Sequence, residues 1–166
     1  GIDGFTGKHL ANALKLAGFK VIGLSDQNTD ADDVFTCDLL EKENLQQVVA
    51  KIQPNYVVHL AAISFVGHGN ADDFYRVNVV GTVNLLEALL KLEKKPEKVL
   101  VASSANVYGD CDKSPILETQ QPLPVNHYAM SKLAMEFMTR TYLDRLPLFF
   151  TRPFNYIGLG LSLIHI

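Results

Sequence analysis

The chain of 166 residues is the length of one ordinary domain, and its 48% apolar and 20% charged residues are enough for a sizeable core. Its formal net charge of -3, without a basic stripe, argues against a nucleic-acid footprint or an anionic-membrane surface and leaves small-molecule partners. Cys37 and Cys111 lie far apart and outside any CxxC or His-rich spacing, which argues against a disulfide framework or a metal site. With no signal peptide and no apolar run near about 18 residues, the sequence predicts a cytosolic protein.

The first element is a helix opened by Gly1, Gly4 and Gly7, with Leu10, Ala13, Leu14 and Ala17 at helical spacing on one face. Gly18 reads as its C-cap and 20–24 as a buried strand, so the glycines fall where a nucleotide-binding loop meets a helix N-terminus. Glycine suits that place because a pyrophosphate must come close to backbone N–H groups and because the turn can require positive φ. A helix at 41–52, a strand at 56–60 and a long helix at 72–92 follow. A strand at 98–103, a helix at 128–145 and a strand at 148–152 complete the series. Near-continuous apolar strands alternating with helices predict an α/β, doubly wound parallel sheet covered on both faces, a Rossmann fold. The irregular stretch 109–127, carrying Pro115, Pro122 and Pro124, is long enough to wall a substrate pocket at the carboxyl ends of the strands.

Gly1 already falls inside the glycine pattern, so the strand expected to feed it is absent from the sequence. At the other end, 161–166 back-translates to a stretch resembling a transposase adapter used in sequencing libraries. That stretch is expected to be a non-native tail, leaving 1–160 as the dinucleotide-binding domain.

Chemistry points first to Tyr128 and Lys132, four residues apart and therefore on one helix face. A free phenol titrates near about 10, too high for base work at neutral pH unless a partner favours the phenolate. Lowering it by about three units takes about 4 kcal/mol, which one charge at about 4 Å supplies in a partly screened site. Lys132 is thus expected to make Tyr128 more acidic. Ser104 follows the strand 98–103 and places a hydroxyl where ligands bind in open α/β sheets. Ser104 and Tyr128 can then hold one carbonyl oxygen while hydride moves to or from its carbon.

These residues, with Gly1, Gly4, Gly7, Cys37, Asp38, Leu39, His59, Asn78, Gly81, Thr82, Arg152 and Asn155 in their local patterns, resemble the extended short-chain dehydrogenase/reductase family. That family comprises nucleotide-sugar epimerases, dehydratases and reductases. The resemblance spans 1–160 and implies Ser104, Tyr128 and Lys132 as the catalytic set. It implies a cofactor site, for NADP or NAD, of Gly1, Gly4, Phe5, Thr6, Gly7, Ser25, Asp26, Asp38, Leu39, Leu60, Ala61, Ala62, Asn78, Ser103, Tyr128 and Lys132. Asp38 would contact the adenine, and Ala61 and Ala62 the middle of the cofactor. Ser64, Phe65, Ser104, Asn106 and Asn155 would meet the substrate, with Asn155 at its nucleotide diphosphate. A homodimer through the helices at 72–92 and 128–145 is also implied, as is a C-terminal substrate domain missing from this sequence.

Within the family, related 4,6-dehydratases carry glutamate two positions after the catalytic Ser or Thr, where this chain has Asn106. An amide can neither take the C5 proton nor protonate the departing hydroxyl, which disfavours dehydration. A 4-keto-sugar reductase and a C4 epimerase remain, and the surroundings of His59 and Arg152 look most like GDP-4-keto-6-deoxy-mannose reductases. A non-catalytic dinucleotide sensor is the reading from outside enzymology. Cofactor choice stays open: Ser25 occupies the position where an acid would pair the ribose of NAD, and Asp26 follows it.

Overall fold

A computed structural model describes residues 1–64 and 69–161 of the chain. Phe65 and most of the expected tail, 162–166, lie outside the described residues. Helix α1, Phe5–Leu16, leads to strand β1, Gly23–Ser25, and strand β2, Val34–Thr36. Helix α2, Lys42–Ile52, strand β3, Tyr56–His59, and helix α3, Ala71–Tyr75, come next. A π-helical turn, Arg76–Gly81, joins α3 to helix α4, Thr82–Leu90. Strand β4, Lys98–Ala102, a 3-10 turn, Ala105–Tyr108, helix α5, His127–Thr139, and strand β5, Leu148–Thr151, complete the order.

All strands pair in parallel, as two sheets of order β1-β2 and β3-β4-β5. Gly1 sits between them. Its nitrogen donates to Leu24 O at 3.1 Å, and a Cβ on it would stand 2.6 Å from Ala61 N, just past β3. The two sheets thus flank the glycine loop. Gly18, with φ +85°, ends α1 as expected, its N–H returning to Lys15 O at 3.0 Å.

Alternation along the strands divides buried from open faces. Val99 and Val101 of β4 are fully buried against Leu45 and Val49 of α2, Leu86 and Leu89 of α4, and Met135 of α5. Burying each such side chain stabilises the fold by about 2 kcal/mol. On the opposite face Tyr56, Val58 and Phe149 stay open, so among the described residues the helical cover is deep on one side only. α1 contributes only Gly7 and Ala11 as buried residues.

Four elements differ from the sequence expectation. The first strand starts at Gly23 rather than 20, and β2 has no counterpart in that expectation, because three residues after an Asp-rich loop carry no legible alternation. The expected helix at 72–92 is interrupted by the π turn, and the expected helix at 128–145 closes at Thr139 into a 3-10 turn, Arg140–Tyr142. Among the described residues no helix is long and apolar enough to cross a membrane.

His59, at the end of β3, is buried, and its Nε2 lies 2.9 Å from Thr82 Oγ1. That hydroxyl donates to Asn78 O at 2.7 Å, so it accepts from the ring and fixes the proton on Nε2. Burial, and secondarily the Lys132 ammonium, holds the imidazole down to about 3. A neutral-preferring histidine contributes stability that is complete above about pH 6.5 and is lost as pH falls toward about 3, because the unfolded chain takes up the proton first. Between pH 7 and pH 5 this amounts to about 2 kcal/mol. Urea midpoints at the two pH values should show that loss, and His59→Gln should remove most of it.

Candidate active site

The glycine loop is shaped by close backbone packing rather than by positive φ, which Gly1, Gly4 and Gly7 do not adopt. A Cβ on Gly7 would fall 2.1 Å from Gly1 O, whereas one on Gly4 would meet only Gly1 O at 3.5 Å. Gly4 is the N-cap of α1, with no side-chain cap and no acidic residue in the first turn. Free N–H groups behind an open Gly4 surface suit an approaching phosphate. Phe5 and Thr6 stand beside it, on a cleft of about 380 Å³ shared with His9 and with Tyr156 to Gly158.

Around this loop lie the other residues expected at a dinucleotide. Ser25 is buried and its hydroxyl accepts Gln27 N at 3.0 Å, so the exposed Asp26 is the free acid beyond β1. Asp38 accepts Leu40 N at 2.8 Å, capping the turn before α2, and remains exposed on its other side. Leu39 packs beneath Gly81, where a Cβ would meet it at 3.0 Å. Leu60, Ala61 and Ala62 are half-buried next to Gly1.

Asn78 is placed differently from the expectation of a cofactor contact. It is fully buried, accepts Ile63 N at 2.9 Å, and donates to Ile63 O at 3.1 Å and Ser131 Oγ at 2.9 Å. Ser131 in turn donates to Tyr128 O at 2.7 Å. The amide thereby ties the segment after β3 to the helix of the tyrosine and lysine, with its hydrogen-bonding groups already committed to protein.

Asn126 caps α5 by accepting Ala129 N at 2.8 Å, which sets Tyr128 in the first turn and Lys132 one turn on. Lys132 is 3% exposed and donates to Ala102 O, the end of β4, at 2.8 Å. Desolvation lowers its pKa to about 8, opposed by Glu136. Ser104 begins the 3-10 turn, its Oγ accepting Asn106 N at 3.2 Å, so its own hydrogen is free to donate. It stands close enough to the phenol to act on it: burial pushes Tyr128 up from its ordinary value, the Ser104 hydroxyl pulls it down, and Tyr156 pushes it up. The upward direction is opposite to the effect expected of Lys132, which is not among the influences on the phenol. Burial, with Phe74 at a ring distance of 6.3 Å, outweighs the other influences and keeps Tyr128 protonated at neutral pH.

Ser103 Oγ is the one fully buried side-chain nitrogen or oxygen among the described residues that has no hydrogen-bond partner, which a group bound at the strand end would satisfy. Asn106, Ser64 and Asn155 are exposed, Asn106 in the turn that Ser104 opens. Residues 109–127 fold back at Gly109, with φ +63° and a Cβ position 2.0 Å from Leu123 O, while Leu123 N donates to Val107 O at 2.9 Å. Ile116 packs on Ala105, Val107 and Tyr108. Among the described residues no group of His, Cys, Asp and Glu could hold a metal ion.

A glycine-lined helix N-terminus and a Ser–Tyr–Lys set at the carboxyl ends of parallel strands define an α/β dinucleotide-binding protein of the extended short-chain dehydrogenase/reductase type. The chain matches the model of the NAD dependent epimerase/dehydratase family over residues 1–163, and it belongs to that family. It is 38% identical to the GDP-6-deoxy-D-talose 4-dehydrogenase of Aggregatibacter actinomycetemcomitans, over 96% of this chain and 52% of the relative. Among solved structures it resembles RMD from Pseudomonas aeruginosa complexed with NADPH, at 32% identity and TM-score 0.79, over 98% of this chain and 54% of that one. It also resembles the UDP-glucose 4-epimerase from Brucella ovis in complex with NAD, at 30% identity and TM-score 0.79, over 91% and 48% of the two chains. The chain spans about half the length of the curated relatives it matches.

Two glycine substitutions separate packing from binding. Gly7→Ala should destabilise the protein by at least about 2 kcal/mol, because its methyl meets backbone that cannot yield. Gly4→Ala should leave the melting temperature nearly unchanged yet weaken NAD(P)H binding, read by thermal melts and isothermal titration calorimetry.

Proposed function

We propose that the full-length protein is a nucleotide-sugar oxidoreductase that exchanges hydride between a nicotinamide cofactor and C4 of a 4-keto-6-deoxy sugar, GDP-linked by preference. The observation that carries this reading is the set of buried Ser104, half-buried Tyr128 and buried Lys132 after β4, in which burial pushes the Tyr128 phenol up from its ordinary value. A protonated phenol is the form that gives a proton to an alkoxide developing at O4. The 38% identity to a GDP-6-deoxy-D-talose 4-dehydrogenase supports redox chemistry at C4 of a GDP-sugar, and the likeness to RMD complexed with NADPH supports a nicotinamide cofactor.

When bound, the nicotinamide supplies or accepts the hydride. Gly4 and the α1 N-terminus would hold its pyrophosphate, and Asp26 a ribose hydroxyl. Ser104 donates to the carbonyl oxygen, and Tyr128 releases its proton to that oxygen as charge gathers there. Lys132 stabilises the resulting phenolate with its ammonium, which predominates below about pH 8. Asn106, exposed in the turn after Ser104, offers neither the acid nor the base that dehydration needs. Asn155, Ser64 and Phe65 complete the proposed substrate contacts. The full-length protein is proposed to pair as a homodimer through α4 and α5, whose neighbourhood leaves Val80, Met130 and Phe137 exposed.

Similarity to a UDP-glucose 4-epimerase supports a second reading, in which the cofactor is reoxidised within each turnover. Purified full-length protein given GDP-4-keto-6-deoxy-mannose and NADPH should consume one NADPH per sugar; no net consumption would overturn the reductase reading. Tyr128→Phe should lower kcat by about 10²- to 10⁴-fold with cofactor affinity unchanged. In the reducing direction the wild-type rate should decline above about pH 8, as Lys132 loses its proton. Asp26→Ala should weaken NADH binding by about tenfold if that carboxylate takes the ribose hydroxyl; unchanged affinity removes it from the site.

A further inference from the structure

Tyr128, Lys132 and Glu136 follow one another at four-residue spacing on one face of α5. Lys132 and Glu136 are each 3% exposed. A buried ammonium and a buried carboxylate one helical turn apart would ordinarily close into a direct ion pair, since each otherwise loses its solvation. Here they do not. Lys132 donates to Ala102 O, and both Glu136 oxygens are taken by Arg152, Nε to Oε1 at 2.9 Å and Nη2 to Oε2 at 2.6 Å.

Arg152 is itself fixed from several sides. Its Nη1 donates to Tyr108 Oη at 2.8 Å and reaches Glu118 O at 3.5 Å, and its guanidinium lies 5.0 Å from the Tyr108 ring centre. These contacts join the end of β5, the 3-10 turn after Ser104, the 109–127 connection and α5. A forked guanidinium locked in this way matches a carboxylate in two parallel hydrogen bonds, which a single ammonium cannot.

We propose that Arg152 is a positioning residue for Lys132: by holding both oxygens of Glu136, it keeps that carboxylate from capturing the ammonium, which stays directed to the reaction site. Glu136 then acts on Lys132 only through space, in the sense that opposes the effect of burial. The titratable groups that act on Lys132 through space are Glu136 from its own helix and the neutral His59 from β3. Remove the guanidinium, and an unpaired buried carboxylate is left with Lys132 as its nearest recourse on the same helix face.

The inference rests on Tyr128 and Lys132 as the proton-transfer pair, so its first test needs no turnover. In full-length protein labelled with 15N-lysine, the Lys132 resonance, identified by its loss in Lys132→Arg, is titrated by NMR. Arg152→Gln should raise its pKa by about one unit or more, and Glu136→Gln/Arg152→Gln should return it to the wild-type value or below. An unchanged or lowered value in Arg152→Gln overturns the proposal. Turnover supplies the second readout. kcat should fall on the order of 100-fold in Arg152→Gln and recover to within about fivefold of wild type in the double variant. A scaffold role alone gives a double variant as impaired as the single one, which also overturns it. If Arg152→Gln does not fold, Arg152→Lys, which keeps a cation but not the fork, should shift Lys132 in the same direction by less. No shift in that folded variant is equally decisive against the proposal. Wild-type turnover separately tests the Tyr128 and Lys132 reading, so the two can fail independently.

Discussion

The dehydrated ammonium of Lys132 is the constraint around which the rest of the site is arranged. A cation at 3% exposure gains little from water, so the protein must stabilise it by a hydrogen bond to the end of β4 and by a carboxylate at a distance. It also cannot tolerate a second cation nearby. His59 meets that condition because burial, and secondarily Lys132 itself, keeps the ring neutral, while Thr82 accepts its Nε2 proton. Helix α5 is therefore docked by polar groups as much as by Met135, and its position relative to β4 is fixed at the point where Ser104 and Tyr128 meet.

Backbone approach plays the matching part on the cofactor side. Gly1 reaches both Leu24 and Ala61, and Gly7 lies against the carbonyls of Gly1 and Ile2, so the loop is compressed before any ligand arrives. Gly4 is the relaxed member of the three and faces outward. Close packing thereby falls to Gly1 and Gly7, and Gly4 is left open. The Asn78 amide then links the segment after β3 to Ser131, so that the cofactor and proton-transfer halves share one buried bridge.

Much of this is legible in the residues. Apolar runs locate β3, β4 and β5 to within a residue, and the four-residue interval between Tyr128 and Lys132 requires a shared face whatever the tertiary structure. Local spacing does not give the acidity of Tyr128, because desolvation depends on what the rest of the chain packs around the phenol. A structural ion pair is legible for Arg152 in its apolar surroundings, but local spacing does not give its partner, Glu136, because the fork links α5 to the residue after β5. The resemblance places Asn78 at the cofactor while the residue reads equally as buried scaffold, and its burial and its bonds to Ile63 and Ser131 fit the scaffold reading.

The π turn Arg76–Gly81 also sets the rotational phase of helix α4. Closing a turn with i→i+5 bonds accommodates one residue more than α geometry does, and in an α-helix one residue corresponds to about 100° of rotation. Leu85, Leu86 and Leu89 thus face the core only because the surplus residue sits upstream of them. Insertions and deletions in this segment would act less like local damage than like turning a key: a single-residue deletion would straighten the helix while swinging its apolar stripe out of the core and Asn78 away from Ser131. The length of this segment is thereby as constrained as its composition.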